Sequence, residues 1–386
     1  MSQLSADAVK WAYRILLDRE PEDEQAVAAK VNNLRSTREL RLTILGSAEY
    51  AGKQEHPLQI GQSPFYHYAS TFDPLAVMKR HAISDPQPRP GYLTNFLGVA
   101  IDPKFFPTIL QDRAGQVEGI PIPANWHADI AEWGAALRAV ELAGTRFTMV
   151  ELGCGWGCWM NNTGVAARAS GRLVNVIGIE GDADHLQFAH EALAVNGFSE
   201  DEITLHRGVA SAAKGSALFP KQHVPGTTWG SEPIFDATDE QRLQALESGF
   251  YDEIPVLSLA DMLAPHDRID LLHVDIQGGE ADLVDRSLAL LNEKVAYLLV
   301  GTHSKPIEGR LYATLEGAGW QLEMERAAIF DIVDGKSRIR VDGVQAWRNP
   351  VLLPELSTTD ELNEVPGVGE EEGLDLTVEE TSAVST

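Results

Sequence analysis

Cysteine is nearly absent from the 386-residue chain. Only Cys154 and Cys158 occur, too few for a disulfide-stapled scaffold and in keeping with a reducing compartment. Long apolar runs are missing too: no stretch approaches the ~18 consecutive apolar residues that a membrane-crossing helix needs. The opening string MSQLSADAVKWAYRILLDRE is broken by Asp7, Lys10, Arg14, Asp18 and Arg19, so it lacks the apolar centre of a signal peptide. A soluble cytoplasmic protein is the expectation. Positive charge is scarce, with 31 Lys and Arg against 57 Asp and Glu and a formal net charge of −26. Such a field repels phosphate backbones and anionic lipid, which argues against a nucleic-acid partner.

What is present is a globular composition, 44% hydrophobic and 23% charged, long enough for about two or three domains at roughly 100–200 residues each. Residues 1–52 form the first. Trp11, Ile15 and Leu16, then Val27, Val31 and Leu34, then Leu40, Ile44 and Leu45 recur at helical spacing, broken near Pro21, which predicts a helical hairpin or three-helix unit. Residues 53–124 are dense in proline and aromatic residues, as in SPFYHYASTF and TNFLGVAIDPKFFP. They predict a connecting or lid segment that wraps the next domain or lines a cleft. From residue 354 to 386 ten acidic residues occur with no Lys or Arg, the composition of a disordered acidic tail.

Residues 125–353 carry the chemistry. RFTMVELG, LVNVIGIE, EITLHRGV, IDLLHVDI and VAYLLVGTH read as five strands. Between them DADHLQFAHEALAVNG and GEADLVDRSLALLNE read as helices, so the fold class is α/β with a largely parallel, doubly wound sheet. Ligands of such sheets bind at the carboxyl ends of the strands. There the first strand ends in Glu151-Leu-Gly153-Cys-Gly155-Trp-Gly157, glycines that allow a tight turn and close backbone approach. A dinucleotide fingerprint would need its last glycine at position 158, which is Cys158. The second strand ends at Glu180, 23 residues after Gly157, where a carboxylate can accept both ribose hydroxyls of an adenosyl group.

The E-x-G-x-G-x-G string resembles the first motif of class I S-adenosylmethionine-dependent methyltransferases. In those Rossmann-like proteins residues placed as Val209 and Ala210 wall the adenine. LLHVDIQGGEADLV, with Leu257-Ser-Leu-Ala-Asp261 ahead and LLVGTHSKPIEGRLYATLEGAGW behind, resembles the FkbM family of O-methyltransferases over roughly residues 147–325. Asp275, Gly278 and Glu280 match that family's Ile-Asp-Val-Glu-Gly-x-Glu string, while Gln277 and Gly279 depart from it. The string YRILLDREPEDEQAV, followed by LRSTRELRLTILGSAEY, resembles a short helical domain that accompanies bacterial surface-polysaccharide and glycosylation proteins. It implies an amphipathic addition that packs on its neighbour or mediates homo-oligomerisation.

The resemblances imply transfer of a methyl group from S-adenosylmethionine to a hydroxyl of a small-molecule or glycan acceptor. Cofactor binding is expected from Glu151, Gly153, Gly155, Gly157, Glu180, Val209, Ala210 and Asp275. Removing the hydroxyl proton needs a base near the ends of the fourth and fifth strands, and His303 and Asp275 are the two candidates. Trp229 in the GTTWGSEP loop, His127 and Glu280 are expected at the substrate, His127 alternatively as a helix cap or a contact to the cofactor's carboxylate. His273 alternates with Asp275 and should be a buried, hydrogen-bonded histidine. No spacing demands a metal. If Mg2+ were held, Asp275, Glu280, His303 and Glu308 are the donors that would hold it. Two other readings of the same sheet are a nicotinamide-dependent oxidoreductase and a non-catalytic cofactor-binding subunit.

Overall fold

A computed structural model describes residues 4–17, 19–45, 47, 49 and 63–354. The acidic segment from residue 355 onward, and residues 50–62 of the expected connector, lie outside the described residues. The chain divides into two compact units, Met1–Tyr66 and His67–Thr386.

In the first unit three helices form, α1 (Ala6–Leu17), α2 (Glu24–Asn33) and α3 (Thr37–Leu45). Asp23 caps α2 by accepting the Ala26 N–H, which satisfies one of the amide groups that a helix start leaves without a partner. Val9, Tyr13, Leu17, Val27, Leu40 and Ile44 make the small core. Trp11 is 58% exposed. It sits under the Arg14 guanidinium rather than on the buried stripe, because Val9, Tyr13 and Leu17 occupy the inward positions at four-residue steps.

The second unit is built on an eight-stranded sheet. Its strands in chain order are β1 (Ala69–Ser70), then β4 (Arg146–Leu152), β5 (Leu173–Glu180), β6 (Ile203–Arg207), β10 (Leu271–Val274), β11 (Tyr297–Thr302), β12 (Gln321–Arg326) and β15 (Gly343–Arg348). They lie side by side in the order β1-β12-β15-β11-β10-β4-β5-β6. The pairs from β11 through β6 are parallel, and β15 enters antiparallel between β11 and β12. Short two-stranded ribbons are made by β2 (Leu93–Thr94) with β3 (Ala100–Ile101), and by β13 (Ile329–Val333) with β14 (Lys336–Val341). The order reverses between β10 and β4, which makes the crevice at their carboxyl ends the expected ligand position.

Side chains alternate across the sheet. Phe147, Met149, Val174, Val176, Tyr297 and Leu299 face one layer, with helices α5 (Ile130–Leu142), α6 (Cys158–Ala169) and α7 (Ala183–Val195). Val150, Leu152, Ile177, Ile179, Leu298 and Val300 face the other. That layer holds α9 (Glu280–Lys294) and α10 (Lys305–Gly317). Burial on both faces explains the continuous apolar strings of the parallel strands.

Residues 67–124 belong to the second unit. Their helix α4 (Pro74–His81) packs on α5 so closely that a Cβ at Gly134 would lie 2.3 Å from Pro74. Val77, Met78, Leu93, Phe96, Val99 and Phe105 share one core with the sheet. The aromatic density of this segment is core, because apolar rings removed from water contribute about 25 cal/mol per Å² buried.

The insertion between β6 and β10 has its own three-stranded sheet, β7 (Val209–Ser211), β9 (Tyr251–Ser258) and β8 (Gly215–Pro220), with helix α8 (Asp239–Ser248).

Candidate functional site at the strand ends

The turn after β4 is shaped by three glycines in the left-handed region, Gly153 (φ 76°), Gly155 (φ 52°) and Gly157 (φ 76°), a conformation that L side chains resist. Their missing side chains serve the protein's own packing. A Cβ at Gly153 would lie 2.0 Å from the Asp275 carbonyl oxygen, and one at Gly155 would lie 2.8 Å from the Trp229 ring. The turn is therefore pressed between the end of β10 and the insertion.

Glu151 is buried beneath the turn and accepts the N–H groups of Trp159 (3.2 Å) and Met160 (3.0 Å) at the start of α6. Burial pushes its carboxyl up to about 7, against those two bonds. Through those two bonds Glu151 ties the turn to the start of α6. Cys154 and Cys158 are buried thiols pushed up by burial and hence unreactive.

Glu180 closes the end of β5. Its carboxylate accepts Gly155 N–H and Asp182 N–H, each at 2.8 Å. Burial pushes it up to about 7 as well, with the backbone donors opposing. Next to it Gly208 donates to the Glu180 carbonyl at 2.9 Å. Val209 is half-buried at the start of β7, whereas Ala210 is buried in the core with Ile177 and Ile179. Ala210 thus packs inward where an adenine wall was expected, because β7 turns away to pair with β9.

At the end of β10, Asp275, Glu280 and His303 meet. His303 Nε2 lies 3.2 Å from Asp275 Oδ1, and Nδ1 lies 2.9 Å from Glu280 Oε1. Glu280 is fully buried and also accepts Ile276 N–H (3.2 Å) and Gly278 N–H (2.9 Å). Burial opposes charge on His303, but the two carboxylates outweigh it and push the imidazole up to about 10. Nδ1 is hydrogen-bonded to Glu280 and Nε2 forms an ion pair with Asp275, so both nitrogens face carboxylates. A ring raised that far is protonated at neutral pH, which weighs against His303 as the expected base.

Asp275 is 41% exposed and also accepts Gln277 Nε2 at 2.9 Å. Its burial is outweighed by His303, which holds the carboxyl below its ordinary value. The donor atoms of this trio lie within 4.8 Å of one another. Glu308 stands apart, taken up by Thr302, Lys305 and the Ala328 N–H.

His127 is not the helix cap. Asp129 is, accepting Ala131 N–H (2.8 Å) and Glu132 N–H (3.2 Å). The His127 ring lies 6.1 Å from Trp156 of the glycine turn and 5.5 Å from Trp159. Its Nε2 has no hydrogen-bond partner among the described residues. Burial, with the field of His273, pushes it down to about 4, so the ring is neutral at pH 7. His273 is buried as expected but lacks the expected hydrogen bonds. It lies 3.6 Å from Glu132 and 3.8 Å from Glu151, carboxylates that outweigh its burial and raise its pKa.

Trp229 reaches the glycine turn from the insertion. It stacks on His185 (centroids 3.9 Å, 3° between planes) and on Phe106 (4.3 Å, 12°). His185 and Phe106 escaped the sequence reading because neither stands in a motif. The one local signal was Asp182, an N-cap that places His185 in the first turn of α7.

The strand order, with antiparallel β15 between β11 and β12, defines the class I methyltransferase fold, a doubly wound α/β sheet. No family model matches the chain. A protein of Jannaschia sp. (strain CCS1) named "Putative methyltransferase" is 48% identical over 263 residues, covering 68% of this chain and 94% of that protein. The chain belongs to this methyltransferase family, which displaces the oxidoreductase reading. Among solved structures, methyltransferase FkbM from Methylobacillus flagellatus KT is 14% identical, with a TM-score of 0.33 over 56% of this chain and 54% of that one. The C-terminal domain of precorrin-6Y C5,15-methyltransferase from Rhodobacter capsulatus is 14% identical, with a TM-score of 0.33 over 58% and 90%. No described helix is long and apolar enough to cross a membrane.

Proposed function

We propose that the protein is an S-adenosylmethionine-dependent O-methyltransferase acting on a hydroxyl of a glycan or glycosylated metabolite. The observation that carries the cofactor assignment is the buried Glu180 carboxylate bonded to Gly155 N–H at the crevice between strand ends. Each carboxylate oxygen has a further lone pair for a ribose hydroxyl, and the crevice beside it already accommodates a flat bicyclic ring, that of Trp229. The FkbM-like string around Asp275 supports oxygen as the methylated atom, and the amino-terminal resemblance supports a glycan.

When bound, S-adenosylmethionine supplies an electrophilic methyl group on a sulfonium. The chain must orient the hydroxyl and take its proton. Asp275, ionised and partly exposed, is fixed by Gln277 and His303 and suits the orienting role. Asp275 is also placed to take the proton, since burial weakens His127 as a base, to about 4, and encloses its Nε2. No step in this scheme requires Mg2+.

The test is incubation of the full chain with methyl-13C S-adenosylmethionine and a panel of soluble and lipid-linked glycans, read by NMR for new O-methyl carbons. An O-methyl product is expected. Methyl on nitrogen or carbon would contradict the assignment, and tight cofactor binding without any methylated acceptor would favour a non-catalytic subunit.

A further inference from the structure

Residues 222–230 of the insertion pack against the turn after β4, the start of α7, residues 105 and 106, and Gln277. Gln222 draws the segment into a closed loop, its Nε2 donating to Thr228 O (2.6 Å) and its Oε1 accepting Thr228 N–H (3.3 Å). Trp229 Nε1 donates to Gly226 O at 3.0 Å, so the indole edge is satisfied within the loop and its faces are free to stack. Gly226 approaches the Phe105 carbonyl so closely that a Cβ would lie 2.6 Å from it. On the far side a Cβ at Gly230 would lie 3.1 Å from Gln277 Oε1.

Between those anchors the Trp229 ring lies between His185 and Phe106 and against the Cα of Gly155. These walls belong to the turn after β4, the helix after β5 and the segment leading to α5. Gly155 is the residue whose N–H Glu180 accepts. Indole and purine are both fused five- and six-membered aromatic rings, with similar area and the same preference for offset stacking. A flat ring next to the Glu180 carboxylate is what an adenosyl group would present there.

We infer that residues 222–230 are a latch, in which the Trp229 indole holds the nucleobase's place and swings out when the adenosyl ligand binds. This rests on the S-adenosylmethionine reading and adds to it a closed state of the free enzyme. Apparent affinity is then reduced by the fraction of molecules whose latch is closed, and weakening the latch removes that penalty. The loop's anchors are a few polar bonds and stacked rings, so it opens without disturbing the sheet.

The experiment follows binding of S-adenosylhomocysteine to the full chain by stopped-flow tryptophan fluorescence and calorimetry, for the wild type, Trp229→Ala and Gln222→Ala. Trp126 and Trp156 remain as reporters in the first variant. The wild-type observed rate is expected to level off with ligand concentration, because opening precedes binding. In Trp229→Ala the rate should rise linearly and the affinity improve by about tenfold, the gain expected if about nine in ten molecules are latched. Gln222→Ala should move the same way by less, and it decides the matter if Trp229→Ala does not fold. Equal or weaker binding by the folded variants, with linear kinetics in the wild type, makes Trp229 a fixed wall and overturns the latch alone. Absence of binding by all three folded proteins overturns the cofactor reading and the latch with it.

Discussion

Glu180 accepts the backbone N–H of Gly155 at 2.8 Å, joining the end of β5 to the glycine turn after β4. A carboxylate in that position is dehydrated, and burial pushes it up to about 7. Ribose hydroxyls donating to it favour the ionised form, so binding should lower its pKa and release a proton. Affinity for S-adenosylhomocysteine should therefore rise with pH below about 7 and level off above it, by at most about tenfold per unit. Calorimetry in buffers of different ionisation enthalpy measures the proton count. Glu180→Gln should bind weakly with no pH dependence, and a pH-independent wild type would contradict the assignment.

The imidazole of His303 makes a second pH prediction, on stability. Its folded pKa of about 10 lies above the ordinary 6.5. The stabilisation is then fully present below pH 6.5 and is lost as pH rises through about 10. Thermal melts of the wild type should fall across that window more steeply than those of His303→Gln. Imidazole NMR at pH 8 should show a doubly protonated ring, and a neutral ring there would restore His303 as a free base.

Gly153→Ala tests the close approach of the turn to β10. The added Cβ would lie 2.0 Å from the Asp275 carbonyl oxygen, at φ 76°. Backbone must move on top of the left-handed strain, for a loss of at least about 2 kcal/mol by urea denaturation. Gly144→Ala, where a Cβ meets nothing within 4 Å, is the control and should change stability by less than about 0.5 kcal/mol.

Arg326 and Asp129 form a buried ion pair, and Asp129 also caps α5. Arg326→Met strands that carboxylate in the core and should destabilise the second unit by about 3–5 kcal/mol in denaturant titrations. A loss below about 1 kcal/mol would mean that water reaches Asp129.

The central strands were legible because they are buried on both faces, which leaves short, largely apolar strings such as RFTMVEL and YLLV bounded by turn residues. Strands β1, β12 and β15 escaped the sequence reading: the first is two residues long, and the antiparallel pair β12 and β15 carries no glycine motif or intervening helix to announce it. Glu180 and the glycine turn were legible from spacing alone. The roles of His303 and His127 were not, because protonation depends on partners brought together across the fold. Glu280 is 23 residues from His303, and no local pattern reports that contact. Trp229 was singled out by its glycine-flanked loop, but its seat against Gly155 depends on how the insertion folds back over β4.

Calorimetric titration of the full chain with S-adenosylmethionine and S-adenosylhomocysteine, with NAD and NADP as controls, tests the central claim most directly. Micromolar binding of the two adenosyl ligands alone, lost in Glu180→Ala while the fold persists, is the predicted result. A preference for a dinucleotide, or full binding by Glu180→Ala, would contradict it.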